Sequence, residues 1–141
     1  MSNDFISGTN TTISIDGTAI GDLDSLGAFG GSVQVVTHQP LDGEVYKRPG
    51  SRNNGTLSIS GAYVPGDTGQ AAMQAAFDAR TVNTYTIELD NAVTPGTGNG
   101  TQFTFDAIVT QFETQVAGPD DKVALNATIE ISGAITKTAA T

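Results

Sequence analysis

The 141-residue chain has no cysteine and no tryptophan, and its one histidine is His38. Without cysteine there is no disulfide framework, no thiolate metal site and no thiol nucleophile. A single histidine excludes the two-histidine metal motifs and leaves only His38 for any Ser–His triad. No apolar run approaches the roughly 18 residues that a membrane-spanning helix needs. Charge is also scarce. Charged residues make up 15% of the chain, against about 25% in a typical domain. Only six are basic, against 15 acidic, for a net charge of −9. Such a surface repels phosphate and argues against tight nucleic-acid binding. Met1 to Thr12 contains neither a basic stretch nor an apolar core, so no signal peptide is expected.

The remaining composition is 38% hydrophobic with 17 glycines, and Thr, Ser and Asn are plentiful. This suits a turn-rich β protein with one core, so the chain reads as a single domain over residues 1–141. The Asn-x-Thr triplets at Asn10, Asn54, Asn99 and Asn126 read as turn and strand composition rather than glycosylation sites.

Period-2 patterning carries the fold prediction. From Lys122 to Ser132, Val123, Leu125, Ala127, Ile129 and Ile131 alternate with polar residues, broken only at Ala124. Thr101 to Glu113 is a second long strand, with Phe103, Phe105, Ala107 and Val109 in one phase and Ile108 and Phe112 in the other. A β-bulge or a switch of buried face near Ala107 accounts for that shift. Gly118-Pro119-Asp120-Asp121 makes the turn between the two. Shorter strands are expected at Thr11–Ile15 and Thr18–Ile20 around Asp16-Gly17, at Ser32–His38, at Thr56–Tyr63 and at Asn83–Asp90.

One helix is expected over about 67–80. Asp67 is its cap, Gln70 completes a capping-box pattern, and Arg80 suits its C-terminal end. Met73, Ala76 and Phe77 form the face that packs on the sheet. Two stretches fit no element. Ala92–Gly100 reads as a flexible connector, and residues 39–55 (QPLDGEVYKRPGSRNNG) as a long loop holding half of the bases. The prediction is a mainly β fold: an antiparallel β-sandwich or barrel with one flanking helix and a long loop.

The search for catalytic chemistry returns little. No lysine follows a P-loop, and Gly96-Thr97-Gly98-Asn99-Gly100 has the wrong spacing and precedes a strand. No serine sits in Gly-x-Ser-x-Gly. The acid pairs Asp22/Asp24 and Asp120/Asp121 are sequence neighbours in turns, which cannot face each other across a cleft as glycosidase carboxylates do. No complete acidic loop for Ca2+ is present either, so they read as solvated turn acids. No cofactor and no enzyme activity are expected. The exceptional feature is Lys47, Arg48 and Arg52, three bases clustered within the long loop of an acidic protein. They suit a basic arm that docks on an acidic surface of a neighbouring copy, mobile until it docks. The bland alternative is a solvated loop.

The order of these elements resembles the major tail tube proteins of long-tailed bacteriophages and gene transfer agents. The resemblance covers essentially the whole chain. It is most specific over Gly55–Phe77 (GTLSISGAYVPGDTGQAAMQAAF) and Asp120–Gly133 (DDKVALNATIEISG), with Tyr46-Lys47-Arg48-Pro49-Gly50 in the loop. It implies six copies in a ring whose joined sheets line a channel, and rings stacked into a tail tube through which DNA passes. It also implies a virion location, with synthesis in the host cytoplasm. Tape measure, tail terminator and tail-tip proteins would be further partners. Carried onto this chain, residues 39–55 would be the stacking arm, with Lys47, Arg48 and Arg52 meeting acids of the next ring and Asp42 and Glu44 answering in return. The terminal arms would touch neighbours. The expected lumen-lining residues are Asp106, Asn126, Thr128 and Glu130, on the wet faces of the long strands. An acidic lining lets DNA slide, because it does not hold phosphate. The competing expectation is a binding module, a carbohydrate-binding or capsid-decorating β-sandwich, although few aromatics are available to stack on sugar.

Overall fold

The computed structural model describes residue 6, residues 8–94 and residues 97–141. In chain order its elements are β1 (Thr12–Ile15), β2 (Thr18–Ala19), β3 (Leu23–Leu26), β4 (Ser32–His38), β5 (Tyr46–Asn53), β6 (Thr56–Ala62), α1 (Thr68–Ala79), β7 (Val82–Glu88), β8 (Gln102–Val116) and β9 (Val123–Thr138). Seven strands form one antiparallel sheet in the order β2-β1-β7-β8-β9-β6-β3, while β4 and β5 pair only with each other.

Alternation decides what the large sheet buries. Leu57 pairs with Ile129, Ile59 with Ala127, Tyr85 with Ile15 and Phe105, and Ile87 with Ile13. All are buried on one face, with Met73 and Ala76 of α1 packed into the same core. Cross-strand partners lie ~5 Å apart, so each inward residue meets another inward residue. A buried Leu or Ile here contributes about 2 kcal/mol through removal of its surface from water.

The phase shift in β8 resolves into irregularities on either side of Ala107. Val109 pairs with Ile129 and Phe112 with Ala127, so three steps along β8 match two along β9 and Thr110 is the extra residue. That bulge returns Phe112 to the core side, where it packs against the buried cluster. The other lies between Thr104 and Asp106. Opposite it β9 carries Gly133 at φ +82°, a conformation that favours glycine.

The sheet curls into a half-barrel. β2 and β3 are its two outermost strands, yet only Ile20, Gly21 and Asp22 join them, a reach of roughly 10 Å. The helix N-terminus staples this seam. Asp67 Oδ2 accepts from the backbone N–H of Gly21 at 3.1 Å and of Gln70 at 2.9 Å. Buried Gln70 donates to Gly21 O at 3.0 Å and Ala62 O at 2.9 Å, and accepts from Val64 N–H at 2.9 Å. Gly69 permits the contact, since a Cβ there would lie 2.1 Å from Ala19 O.

Several expectations change. The capping box is half formed: Asp67 caps as expected, but Gln70 turns to the seam rather than back to the Asp67 amide. Phe77 is not in the core; it sits at the rim, 36% exposed. Strand β3 was not anticipated. The loop at 39–55 is a loop only to Val45, because Tyr46–Asn53 is a strand paired with β4. Pro49 and the glycines concealed it by interrupting the alternation that marks a strand. The flanks of the 92–100 connector are tied to the chain's last residue, with Thr94 N–H donating to Thr141 O at 3.0 Å and Thr141 N–H to Asn99 O at 2.8 Å. The expected terminal-arm contacts of Met1–Phe5 lie outside the described residues.

Candidate functional site

The β4–β5 hairpin is an arm. Every residue of both strands is exposed, including Val35 at 58%, Val36 at 59% and Tyr46 at 56%. Its root is held in three ways. Asn54 Nδ2 donates to Gly133 O, Ile131 N–H donates to Gly55 O at 2.9 Å, and Phe29 packs edge-on against Phe103 with centroids 5.1 Å apart. Beyond the root, among the described residues, the two strands pair only with each other, and an isolated hairpin is marginally stable in water.

The register sorts the bases. Tyr46 faces His38, Lys47 faces Thr37 and Arg48 faces Val36. Alternation therefore sets Tyr46, Arg48, Val36 and His38 on one side of the arm and Lys47 and Thr37 on the other. Arg52 lies across from Val33, beyond an irregularity between Val33 and Val35. Asp42 and Glu44 occupy the tip, where Glu44 N–H donates to Asp42 Oδ1 at 3.1 Å. Among the described residues the one ion pair joins Lys122 to Asp24, and Lys47, Arg48 and Arg52 make none.

The four sheet residues proposed from sequence come together elsewhere. Asp106, Asn126, Thr128 and Glu130 all point away from the core, because their neighbours Phe105, Ala107, Ala127, Ile129 and Ile131 are buried. Ile108 pairs with Glu130 and Asp106 with Ser132, so the two carboxylates are diagonal neighbours on that face. Hydroxyls surround them. Thr84 Oγ1 donates to Asp106 Oδ1 at 2.8 Å, the Thr86 and Thr104 hydroxyls lie 3.5 Å apart, and Thr128 Oγ1 donates to Gln111 Oε1 at 3.3 Å. Ser58 and Ser60 of β6 continue the polar surface through their pairing with Thr128 and Asn126. The arm bases and this face belong to different sheets, so they form two surfaces rather than one site.

Among the described residues no three His, Asp or Glu side chains are grouped to hold a metal ion. The Asp22/Asp24 pair is divided: Asp24 engages Lys122, while Asp22 sits at the seam with its carbonyl accepting from Ala62 N–H at 2.8 Å. Burial, with the nearby Asp16 carboxylate second, pushes the Tyr85 phenol up to about 12. It lies in the core, away from both surfaces. The signals that sequence reading missed are Gln70, whose role depends on strands distant in the chain, and the cross-strand pairing that splits the basic cluster between two faces.

A family model described as phage tail tube protein matches residues 28–137. A search of curated proteins gives no sequence match. Solved structures share the fold. A chain of the PVC extracellular contractile injection system, in its extended sheath–tube complex, superposes with a TM-score of 0.77 at 17% identity, covering 96% of this chain and 93% of that one. The SPP1 tail tube gives 0.71 at 14% identity, with 95% and 79% covered. A chain from the virion of a native gene transfer agent gives 0.71 at 15% identity, with 94% and 98% covered.

Proposed function

We infer the working role of this molecule from one premise: the chain belongs to the phage tail tube protein family, which is structural rather than enzymatic. Copies assemble into hexameric rings, and rings stack into the tail tube through which DNA passes. The observation that carries this reading is the exposed arm, whose bases make no ion pair among the described residues. Its residues 32–55 hold three bases and two acids, for a net charge of +1, which leaves −10 on the rest of a chain of net −9. Opposite charge on the two regions orients an arm toward the body of another copy, the geometry of a heterologous interface. In the stacked tube Lys47, Arg48 and Arg52 meet acids of the adjoining ring, and Asp42 and Glu44 at the tip answer its bases. The arm, marginal by itself, becomes ordered on stacking.

The polar face of the large sheet lines the channel. Asp106 and Glu130 keep it negative, while Asn126, Thr128 and the neighbouring hydroxyls keep it wet without offering phosphate a cation. DNA then slides without being bound. The tube meets tape measure, terminator and tail-tip proteins at its lumen and ends, in a virion tail assembled from subunits made in the host cytoplasm. The solved relatives include tubes of phage, gene-transfer and contractile-injection particles, which supports a tube over a monomeric binding module. Negative-stain electron microscopy of the purified protein over a concentration series tests the reading. Rings or tubes are expected, and a strictly monomeric particle at the highest concentration counts against it.

A further inference from the structure

Where β7 stops, helix and sheet leave a corner. β7 pairs with β8 only from Glu88↔Gln102 to Val82↔Ile108, so the second half of β8 runs on past its neighbour. The end of α1 lies beside that point. Phe77, Asp78 and Arg80 line a groove of about 470 Å³ with Ile108, Val109 and Thr110. Its large apolar side chains are partly open: Phe77 is 36% exposed and Ile108 37%. Its charged lining residues are Asp78 and Arg80. Asp78 lies near the end of α1, whose last turn has no basic side chain, so the carboxylate adds to the negative carbonyl end of the helix.

We propose that this groove receives the arm of a second copy, with Tyr46 and Val36 on Phe77 and Ile108 and Arg48 against Asp78. The assignment rests on the tube reading above and names the surface that the arm would engage. The two surfaces match in kind. One side of the arm presents an aromatic, a valine and a guanidinium close together, and the groove offers an aromatic, an isoleucine and a carboxylate. Both stay exposed within a single subunit, so the arm does not fill the groove of its own copy. Contact between copies removes apolar surface from water on both sides and pairs Arg48, which makes no ion pair among the described residues.

The lack of native cysteine makes the test clean. Tyr46→Cys and Phe77→Cys are made separately, since a disulfide forms only when Cα atoms come within about 7 Å. Tubes assembled from an equal mixture and mildly oxidised are expected to give covalent dimers on a non-reducing gel, while tubes of either variant alone stay monomeric. Tubes that form from the mixture without dimers overturn the groove assignment and leave the tube reading standing. An unmodified chain that never forms tubes overturns both. If a cysteine variant fails to assemble, charge exchange decides. Arg48→Glu and Asp78→Lys are each expected to raise the concentration needed for assembly about tenfold, and together to restore it within about twofold. Losses that simply add overturn the pairing.

Discussion

The arm and the body use the same residue types to opposite ends. β4 reads Val33, Val35, Val36 and β6 reads Leu57, Ile59, yet the first three are exposed and the last two are buried. The difference is not propensity. β6 lies between β9 and β3 in a sheet whose inward residues join the buried core, whereas β4 among the described residues pairs only with β5. Apolar residues in a strand stabilise the subunit only when tertiary structure supplies something to cover them. Where nothing does, the same residues remain available to another molecule. Charge divides the two regions the same way, with the arm positive and the remainder strongly negative.

The contrast is sharpest in the core. Leu57→Ala is expected to destabilise the subunit by about 3–4 kcal/mol in chemical denaturation, and Val35→Ala by less than about 0.5 kcal/mol. Equal losses would show that the arm packs on the body in solution. Next comes the seam. Gln70→Leu leaves Gly21 O, Ala62 O and Val64 N–H without their partner and is expected to cost on the order of 3 kcal/mol. An unchanged denaturation midpoint would mean that the staple is redundant.

Tyr85 gives a pH signature belonging to the body alone. Its folded-state pKa is raised from 10.0 to about 12. The unfolded chain therefore ionises first, and the stability present below pH 10 drains away as pH rises towards 12. The loss is roughly 2 kcal/mol. Its hydroxyl is buried with no hydrogen-bond partner among the described residues. Tyr85→Phe should therefore abolish that part of the alkaline loss and leave the neutral-pH subunit unchanged or about 1 kcal/mol more stable. A variant that retains the full pH 10–12 decline assigns it to another group. The smallest effect on the subunit is expected for Lys47, Arg48 and Arg52 replaced together by Ser, whose thermal midpoint should not move. Their effect belongs to assembly, which should weaken and lose salt dependence in light scattering. Unchanged tubes would remove the electrostatic role.

Much of the fold was legible because it is local. The alternation from Val123 to Ile131 matches a strand whose inward residues are buried, and Asp67 caps α1 from the position its side chain dictates. The turn at Asp16-Gly17 lies where expected, with both residues at positive φ. The errors fall where distant segments meet. Residues 46–53 lack strand periodicity and become a strand only because β4 offers a ladder. Gln70 looks like a capping residue until Gly21 and Ala62 arrive beside it. Phe77 has helical spacing toward the core, yet the helix ends at the rim of the sheet.

Strand phases, the helix with its cap, the acidic body with its basic cluster, and the exclusion of thiol and histidine-cluster chemistry could all be read from the residues alone. These depend on side-chain period and residue type, which need no partner to be read. The curl that brings the outer strands to within three residues of each other, the departure of residues 32–53 as an arm, and the bases that share a face came from long-range contacts. Those outcomes follow from pairings such as Leu57 with Ile129 and Arg48 with Val36, whose register is set when remote strands meet and cover one another.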